Sequence, residues 1–462
     1  MKKSSLVLAL ATAGVLVISL PAGAAPAATD VGAKPAAGAV NNGGAAADAN
    51  AIAAAFAAKP ESEFFAVLSD AAKELSALQA DEPDLNKRIA AYDKFTFSEA
   101  LRPRLKAVFG TDKPLTTERL PSINGRNNYR SVLKAGTHSE PNAYAAWSDL
   151  LATASVNKAG NEVSSNATMA ALAFGVKSRA HIKDIRLQGQ QKRGADGLYY
   201  GPMAVDVASV HVTGQGEGKD NKEKNLVLED LKIRTDVQRR GKSVDVAYGF
   251  SFKSASVGEN RVERVNFATR VQGIDAAAMA EMDAFARSKQ LQQLAPDARM
   301  QITIRKMKEI GLQIVKGGFT LLVDDISGAW RGQVASLKGR IALAKLADGD
   351  LESPRALVKK LAVKLDLRVP LIVVDEFARA GIAKNLDKND PDYEAKLAAA
   401  LVQARTGMVD GVTKSGFVAL EQEHLHTVIE FNNGVLTLNG KGPSIMGIKD
   451  GKVPLPDKMP KL

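Results

Sequence analysis

Five histidines and no cysteine set the range of chemistry open to this chain: His138, His181, His211, His424 and His426. The spacing His424-Leu425-His426 is the one that invites a metal. Residues i and i+2 of a strand project to the same side, so two neutral imidazoles could share one zinc ion. A third ligand is required. Read along one continuous strand, Glu421 and Glu423 have the opposite parity, whereas Glu430 lies further along the histidine face. Leu425, Thr427, Ile429 and Phe431 form the apolar face of that segment, which leaves the histidines on the wet side. The reading that follows is a pair of surface histidines on a β-ribbon, and no metal ligand is assigned.

Nucleophile and phosphate motifs are absent: there is no G-x-S-x-G elbow, no P-loop and no H-E-x-x-H. Gly214-Gln215-Gly216-Glu217-Gly218-Lys219 imitates a phosphate loop, yet it falls between two strand-like segments and opens no helix, so a hairpin tip is expected. Asp324-Asp325 could be a carboxylate pair, but adjacent residues of a strand face apart, and a turn is expected there. No catalytic and no cofactor-binding residue is assigned, and the chain reads as a non-enzyme.

The elements that would position any such group begin after a targeting segment. Lys2 and Lys3 precede an uncharged run from Leu6 to Leu20, then Pro21 and the small residues Ala22, Gly23 and Ala24. That is the order of a secretory signal, with cleavage expected after Ala24. As a helix the run would span about 22 Å at ~1.5 Å per residue, short of a hydrocarbon core of roughly 30 Å. An uncleaved inner-membrane anchor is the competing reading. Residues 25–58 are dominated by Ala and Gly with no spaced apolar face, which reads as a flexible tether.

The chain has 462 residues and a net charge of +11, from 62 Lys and Arg against 51 Asp and Glu. Its mean hydropathy of −0.11 excludes a polytopic membrane protein. The basic charge is spread rather than clustered: Gln190-Gln191-Lys192-Arg193 and Gln238-Arg239-Arg240-Gly241-Lys242 fall between strands. Combined with export, this points to lipid head groups and away from nucleic acid.

Residues 59–145 read as a mainly helical region, with 111–141 irregular. The period then becomes two. Ser243 to Lys253 alternates cleanly, with Val244, Val246, Tyr248, Phe250 and Phe252 on one face. In several neighbours the parity slips by one: Val205 and Val207 are followed by Val210 and Val212, Leu226 and Leu228 by Leu231 and Ile233, Ile182 by Ile185, and Val262 by Val265. A β-bulge in each strand would do this, bending the sheet; a crossing from one packing layer to another would do it equally. Strand starts about twenty residues apart leave no room for crossover helices, so the pairing is expected to be antiparallel. Helices are expected over Ala276 to Leu294, from Pro296 with a stripe of Met300, Ile304, Met307 and Ile314, and from Asp390-Pro391 with Tyr393, Leu397, Leu401, Ala404, Met408 and Val412 on one side. Last comes a hairpin, Phe417 to Phe431 and Val435 to Leu438, turned at Asn432-Asn433-Gly434.

The closing stretch Asn433-Gly434-Val435-Leu436-Thr437-Leu438-Asn439-Gly440-Lys441 resembles that of the YdgA-like envelope proteins, a Gram-negative family of unknown function. Val265 to Met282 and Ile314 to Arg340 are similar to further segments of it, so the resemblance runs from about Trp147 to Leu438. It implies a β-rich envelope domain and supplies no catalytic residue, cofactor or metal.

The fold class expected is α+β, a long curved antiparallel β-meander with amphipathic helices packed on one face. Its parts would be a signal peptide (1–24), a tether (25–58), the mainly helical region (59–145), a YdgA-like β-rich domain (146–440) and a tail (441–462). The function expected is non-catalytic and periplasmic: binding of a lipid or of another envelope protein on the sheet, with peripheral contact to a membrane. The alternative is an envelope hydrolase with no recognisable motif.

Overall fold

Strand-forming alternation and Gly- or Asn-bearing turns recur through most of the chain, and the fold follows from them. The computed structural model describes residues 63–77, 82–141, 143–175, 178–214, 224–258, 260–288, 296–387, 390–444 and 448–453. The expected signal, the tether and the end of the tail lie outside these residues, as do residues 215–223 of the phosphate-loop look-alike. Among the described residues there are eight α-helices and seventeen strands in one antiparallel sheet that is not closed. The fold is α+β. The chain divides into two compact units: among the described residues, the first is built on 63–239 with 252–260 and 279–307, and the second on 240–251, 261–278 and 308–453.

The first unit opens with helices α1 (Glu63–Ala77), α2 (Leu85–Lys94) and α3 (Leu101–Phe109). Strands follow directly: β1 (Leu115–Ile123), β2 (Arg126–Leu133), β3 (Gly136–Glu140), β4 (Ala143–Trp147), β5 (Leu150–Asn157), β6 (Glu162–Phe174), β7 (Ser178–Arg193), β8 (Tyr199–Gly214) and β9 (Lys224–Arg240). Residues 111–141, expected to be irregular, therefore hold three strands. Their side chains are mainly polar and β1 is largely exposed, so no apolar period marks them; ladder bonds to β2 and from β2 to β5 hold them instead.

The parity slips of β6 to β9 fall in one line across the sheet. Met169 and Leu172, Ile182 and Ile185, and Val207 and Val210 are each buried three residues apart, which simple alternation forbids. Pairing keeps its register on both sides of the row Ala170–Asp184–Ala208–Asp230, as in Lys183↔Ser209 and Ile185↔Val207, while the row itself drops out of the ladder. Asp184 and Asp230 take left-handed backbone there, φ 50° and 52°. Each strand spends one residue in the same row, so the apolar face is kept without a shift between neighbours.

Helices α1 to α3 cover that face. Asp84 caps α2 by accepting from Asn86 N at 2.8 Å, and Leu85 N donates to Gly160 O at 2.9 Å. The first turn of α2 thus sits on the β5–β6 turn, where a Cβ on Gly160 would lie 2.0 Å from the Asp84 carboxylate. Arg104 of α3 binds Glu63 and Asp70 of α1 at 2.5 and 2.9 Å. Beneath them Phe64 stacks on Trp147 with ring centroids 5.1 Å apart, and the Trp147 indole donates to Lys134 O at 2.8 Å.

The second unit uses the first half of β10 (Ser243–Val257), most of β11 (Asn260–Asp275), and β12 (Phe319–Trp330), β13 (Gln333–Leu343), β14 (Leu361–Pro370), β15 (Ala419–Glu421), β16 (His424–Asn432) and β17 (Val435–Leu438). Its helices are α6 (Pro354–Lys360), α7 (Leu371–Ile382) and α8 (Tyr393–Lys414). Two more helices, α4 (Ala276–Arg287) and α5 (Pro296–Gly317), divide between the units. Phe417 to Phe431 is not the single strand expected. It folds back at Gln422-Glu423, both at positive φ (46° and 66°), the geometry of a two-residue hairpin turn, into β15 and β16.

Candidate binding face and the histidine cluster

The register of the second unit decides which side chains share a face. Val271 pairs with Leu321, Leu321 with Ile341, Ile341 with Val363, Val363 with Phe431, and Phe431 with Leu436. Two steps along, Phe267, Ile326, Leu337, Leu367 and Thr427 form a parallel row. Between them Val323, Gly339, Leu365, Ile429 and Leu438 make a third. Phe267 stacks on Phe250 of β10 at 5.3 Å. The result is a broad apolar face interrupted at Gly339, which has φ +144° and whose Cβ would fall 2.1 Å from Lys364 O. No side chain can stand there, so the face has a dent between Val323 and Leu365.

Covering of this face is incomplete. Of the three rows only Val323 and Thr427 are buried, and the other side chains keep partial exposure. Helices α6 and α7 touch β14, and α8 touches β15 and α7. They bury Leu371 and Leu397, while Phe377 and Val402 are 68% and 67% exposed and Met408 and Leu312 are exposed too. The stripe expected on α8 is thus buried at Leu397 and open at Met408. On α5 the expected stripe is open at Ile304 and Met307, and nothing is described for the Met300 side chain.

The opposite face is polar. His426 pairs with Arg368 and Ala419, and His424 with Glu421. His426 is held between two carboxylates: Nδ1 lies 3.1 Å from Glu421 Oε1, and Nε2 lies 3.3 Å from Asp366 Oδ1 without hydrogen-bond alignment. Arg368 approaches both acids, and His424 Nδ1 sits 2.9 Å from Gln422 O. The parity expected for Glu421 is corrected here: the Gln422-Glu423 turn puts it on a different strand, opposite His424 and on the histidine face.

Other candidate residues fall apart from one another. His138 Nε2 meets Glu140 Oε1 at 2.7 Å. Asp324 pairs with Arg270 at 3.1 Å, whereas Asp325 accepts from Asn266 at 2.7 Å and Ser327 at 3.1 Å. They sit within β12 at a register shift rather than in a turn, which corrects the turn expected there. One contact was missed by sequence reasoning: His181 faces His211 directly across β7 and β8. Only the register brings that pair together. His181 also lines an open cleft of about 440 Å³ with Trp147, Ser148 and Lys183. Among the described residues no three His, Asp or Glu side chains are grouped to hold a metal, and no helix is long and apolar enough to cross a membrane.

The family model for a bacterial protein family of unknown function, DUF945, matches residues 88–445, well over half of the chain. The chain belongs to this family. Its match starts inside α2 and so reaches further toward the N-terminus than the resemblance seen in strand rhythm, taking in β1 to β4. No curated protein and no solved structure matches the chain.

Proposed function

We propose that this DUF945 protein is a non-catalytic envelope protein that binds a lipid on the apolar face of its second unit, and that it belongs to the YdgA-like branch of envelope proteins. The observation that carries the reading is the three-row apolar face, whose side chains stay partly exposed, together with Phe377, Val402 and Met408 left in water on the helices of the same unit. A face of this kind costs free energy in proportion to its wet area, about 25 cal/mol per Å², and an acyl chain laid on it removes that cost. The signal-like start, with cleavage expected after Ala24, supports a periplasmic location, where lipid is at hand.

Native mass spectrometry of the full chain purified from the periplasmic fraction tests it. Lipid adducts are expected, and they should be lost in Leu365→Asp, which puts a charge in the middle row. Adduct-free protein in a periplasm that contains it would remove the reading. N-terminal sequencing should begin at Ala25; Met1 retained on a membrane-bound product would overturn the periplasmic assignment.

One observation favours the hydrolase alternative: His426 Nδ1 is held by Glu421, as the ring of a general base is held by a carboxylate. Its neighbours, however, are carboxylates and Arg368, with no serine or threonine hydroxyl hydrogen-bonded to it among the described residues. Turnover of a chromogenic ester that disappears in His426→Ala would establish this alternative instead.

A further inference from the structure

The apolar rows of the second unit end in a lysine cluster on one side and in neutralised arginines on the other. At the first end, Phe319, Leu343 and Leu361 lie side by side across β12, β13 and β14. The backbone there is drawn tight: Leu346 N donates to Lys316 O at 3.0 Å, Ala344 N to Lys360 O at 2.9 Å, and Lys360 Nζ to Lys345 O at 3.3 Å. A Cβ on Gly318 would lie 2.7 Å from Leu343 O and Lys345 N, so only glycine lets the end of α5 come this close. These contacts bring the backbones of Lys316, Lys345 and Lys360 together, and Lys359 is the chain neighbour of Lys360. Lys316 has Asp348 at 3.8 Å, a carboxylate wholly in water, and the other three form no ion pair among the described residues.

The far end differs in kind. Arg331 is paired with Glu376 at 2.9 Å, and Arg405 with Asp375 and Glu423 at 3.5 and 3.7 Å. Lysine near a helix C-terminus offsets the macrodipole, which accounts for Lys316 on α5 and Lys359 and Lys360 on α6 one at a time. It does not account for Lys345, which follows a strand, nor for four lysines placed at one end of the apolar rows.

Building on the lipid reading above, we infer that the ligand is an anionic phospholipid, with its phosphate at Lys316, Lys345, Lys359 and Lys360 and its acyl chains running from Leu343 and Leu361 along β13 and β14. At ~3.3 Å per residue, the ten residues of β14 offer about 33 Å of track. Charge complementarity sets the direction: phosphate at the cationic end, methyl ends toward the end where the arginines are already satisfied.

Binding of the full chain to phosphatidylglycerol vesicles and to phosphatidylcholine vesicles tests this. Preference for phosphatidylglycerol is expected, and Lys345→Gln/Lys359→Gln/Lys360→Gln should cut that preference about a hundredfold, the effect of three lysines at an anionic surface. Circular dichroism and melting of the triple variant should match wild type, since the three side chains make no ion pair among the described residues and glutamine at 360 keeps an N–H donor for Lys345 O. Equal binding of the two lipids, or a preference that survives in a folded triple variant, overturns the inference and leaves lipid binding itself standing. Failure to bind either lipid would sink both.

Discussion

The two units share strand architecture and differ in what lies on the apolar face. In the first, every member of the contiguous buried cluster except Phe97, which lies between α2 and α3, is contributed by α1 to α3 and by β2 and β4 to β8. Its helices bring bulk: Phe64, Phe65, Tyr92 and Phe109 reach the sheet, and Phe64, Phe109 and Trp147 interlock with centroids 5.1 to 5.9 Å apart. The second unit's longest whole helix, α8, carries Ala395, Ala398, Ala399, Ala400, Ala404, Gly407 and Gly411. Small side chains bring little apolar area, so a helix of that composition can seal little of a sheet face. Fold class is therefore no guide to which unit keeps a partly open apolar face. The choice of covering residue decides it.

Truncation should separate the units most sharply. Phe64→Ala removes a ring that is 3% exposed and in contact with three others, and is expected to cost about 3–5 kcal/mol in denaturant unfolding. The matching change in the second unit, Leu365→Ala, should cost only about 1 kcal/mol, because the side chain is partly wet to begin with. Similar losses at both sites would mean that the second face is sealed in solution and would end the contrast.

Between these lies Gly339→Ala. The substitution forces a Cβ toward Lys364 O and fills the dent in the apolar face, and with φ at +144° it should cost about 1–3 kcal/mol. It should also weaken lipid binding, whereas Gly241→Ala, at a turn with open space around it, should leave binding unchanged. At Phe377, 68% exposed, Phe377→Ser should shift stability by no more than about 0.5 kcal/mol while lowering lipid uptake. A large loss of stability there would reassign the ring to the core.

How much of this was legible from sequence depended on whether one strand sufficed to read it. Ser243–Val257 and Leu361–Pro370 announce themselves by alternation, and the slips at Ile182/Ile185 and Val207/Val210 show as parity breaks. That the slips share a row, or that His181 meets His211, needs the pairing of neighbours, which no single segment contains. Two elements were masked by their composition. Leu371-Ile-Val-Val opens α7 with β-branched residues that argue for a strand, yet Pro370 before it and the burial of Leu371 against β14 decide for helix. Gln422-Glu423 turns without a glycine, so the β15–β16 hairpin left no signal, and with it went the placement of Glu421 beside His426. The binding face was legible only in part. Apolar parity marks which residues line it, whereas incomplete covering is a property of the helices once packed.

The smallest effect is electrostatic. Burial works to raise the Asp70 carboxyl, but hydrogen bonds from Lys73 and Arg104 outweigh it and hold the group below its ordinary value near 3.8. A depressed folded pKa means the contribution is present at pH values above the unfolded one and is lost as pH falls through the folded one. With both partners more than a third exposed, it is expected to be under about 1 kcal/mol at pH 7. Asp70→Asn should therefore lower stability slightly at neutral pH, and the difference from wild type should close progressively below about pH 4. Asp375→Asn in the second unit breaks a looser contact, 3.5 Å from Arg405, which keeps Glu423 as a second partner. Its effect should be smaller still. A larger pH-dependent loss at Asp375 than at Asp70 would show the second unit to be held by charge where the first is held by packing.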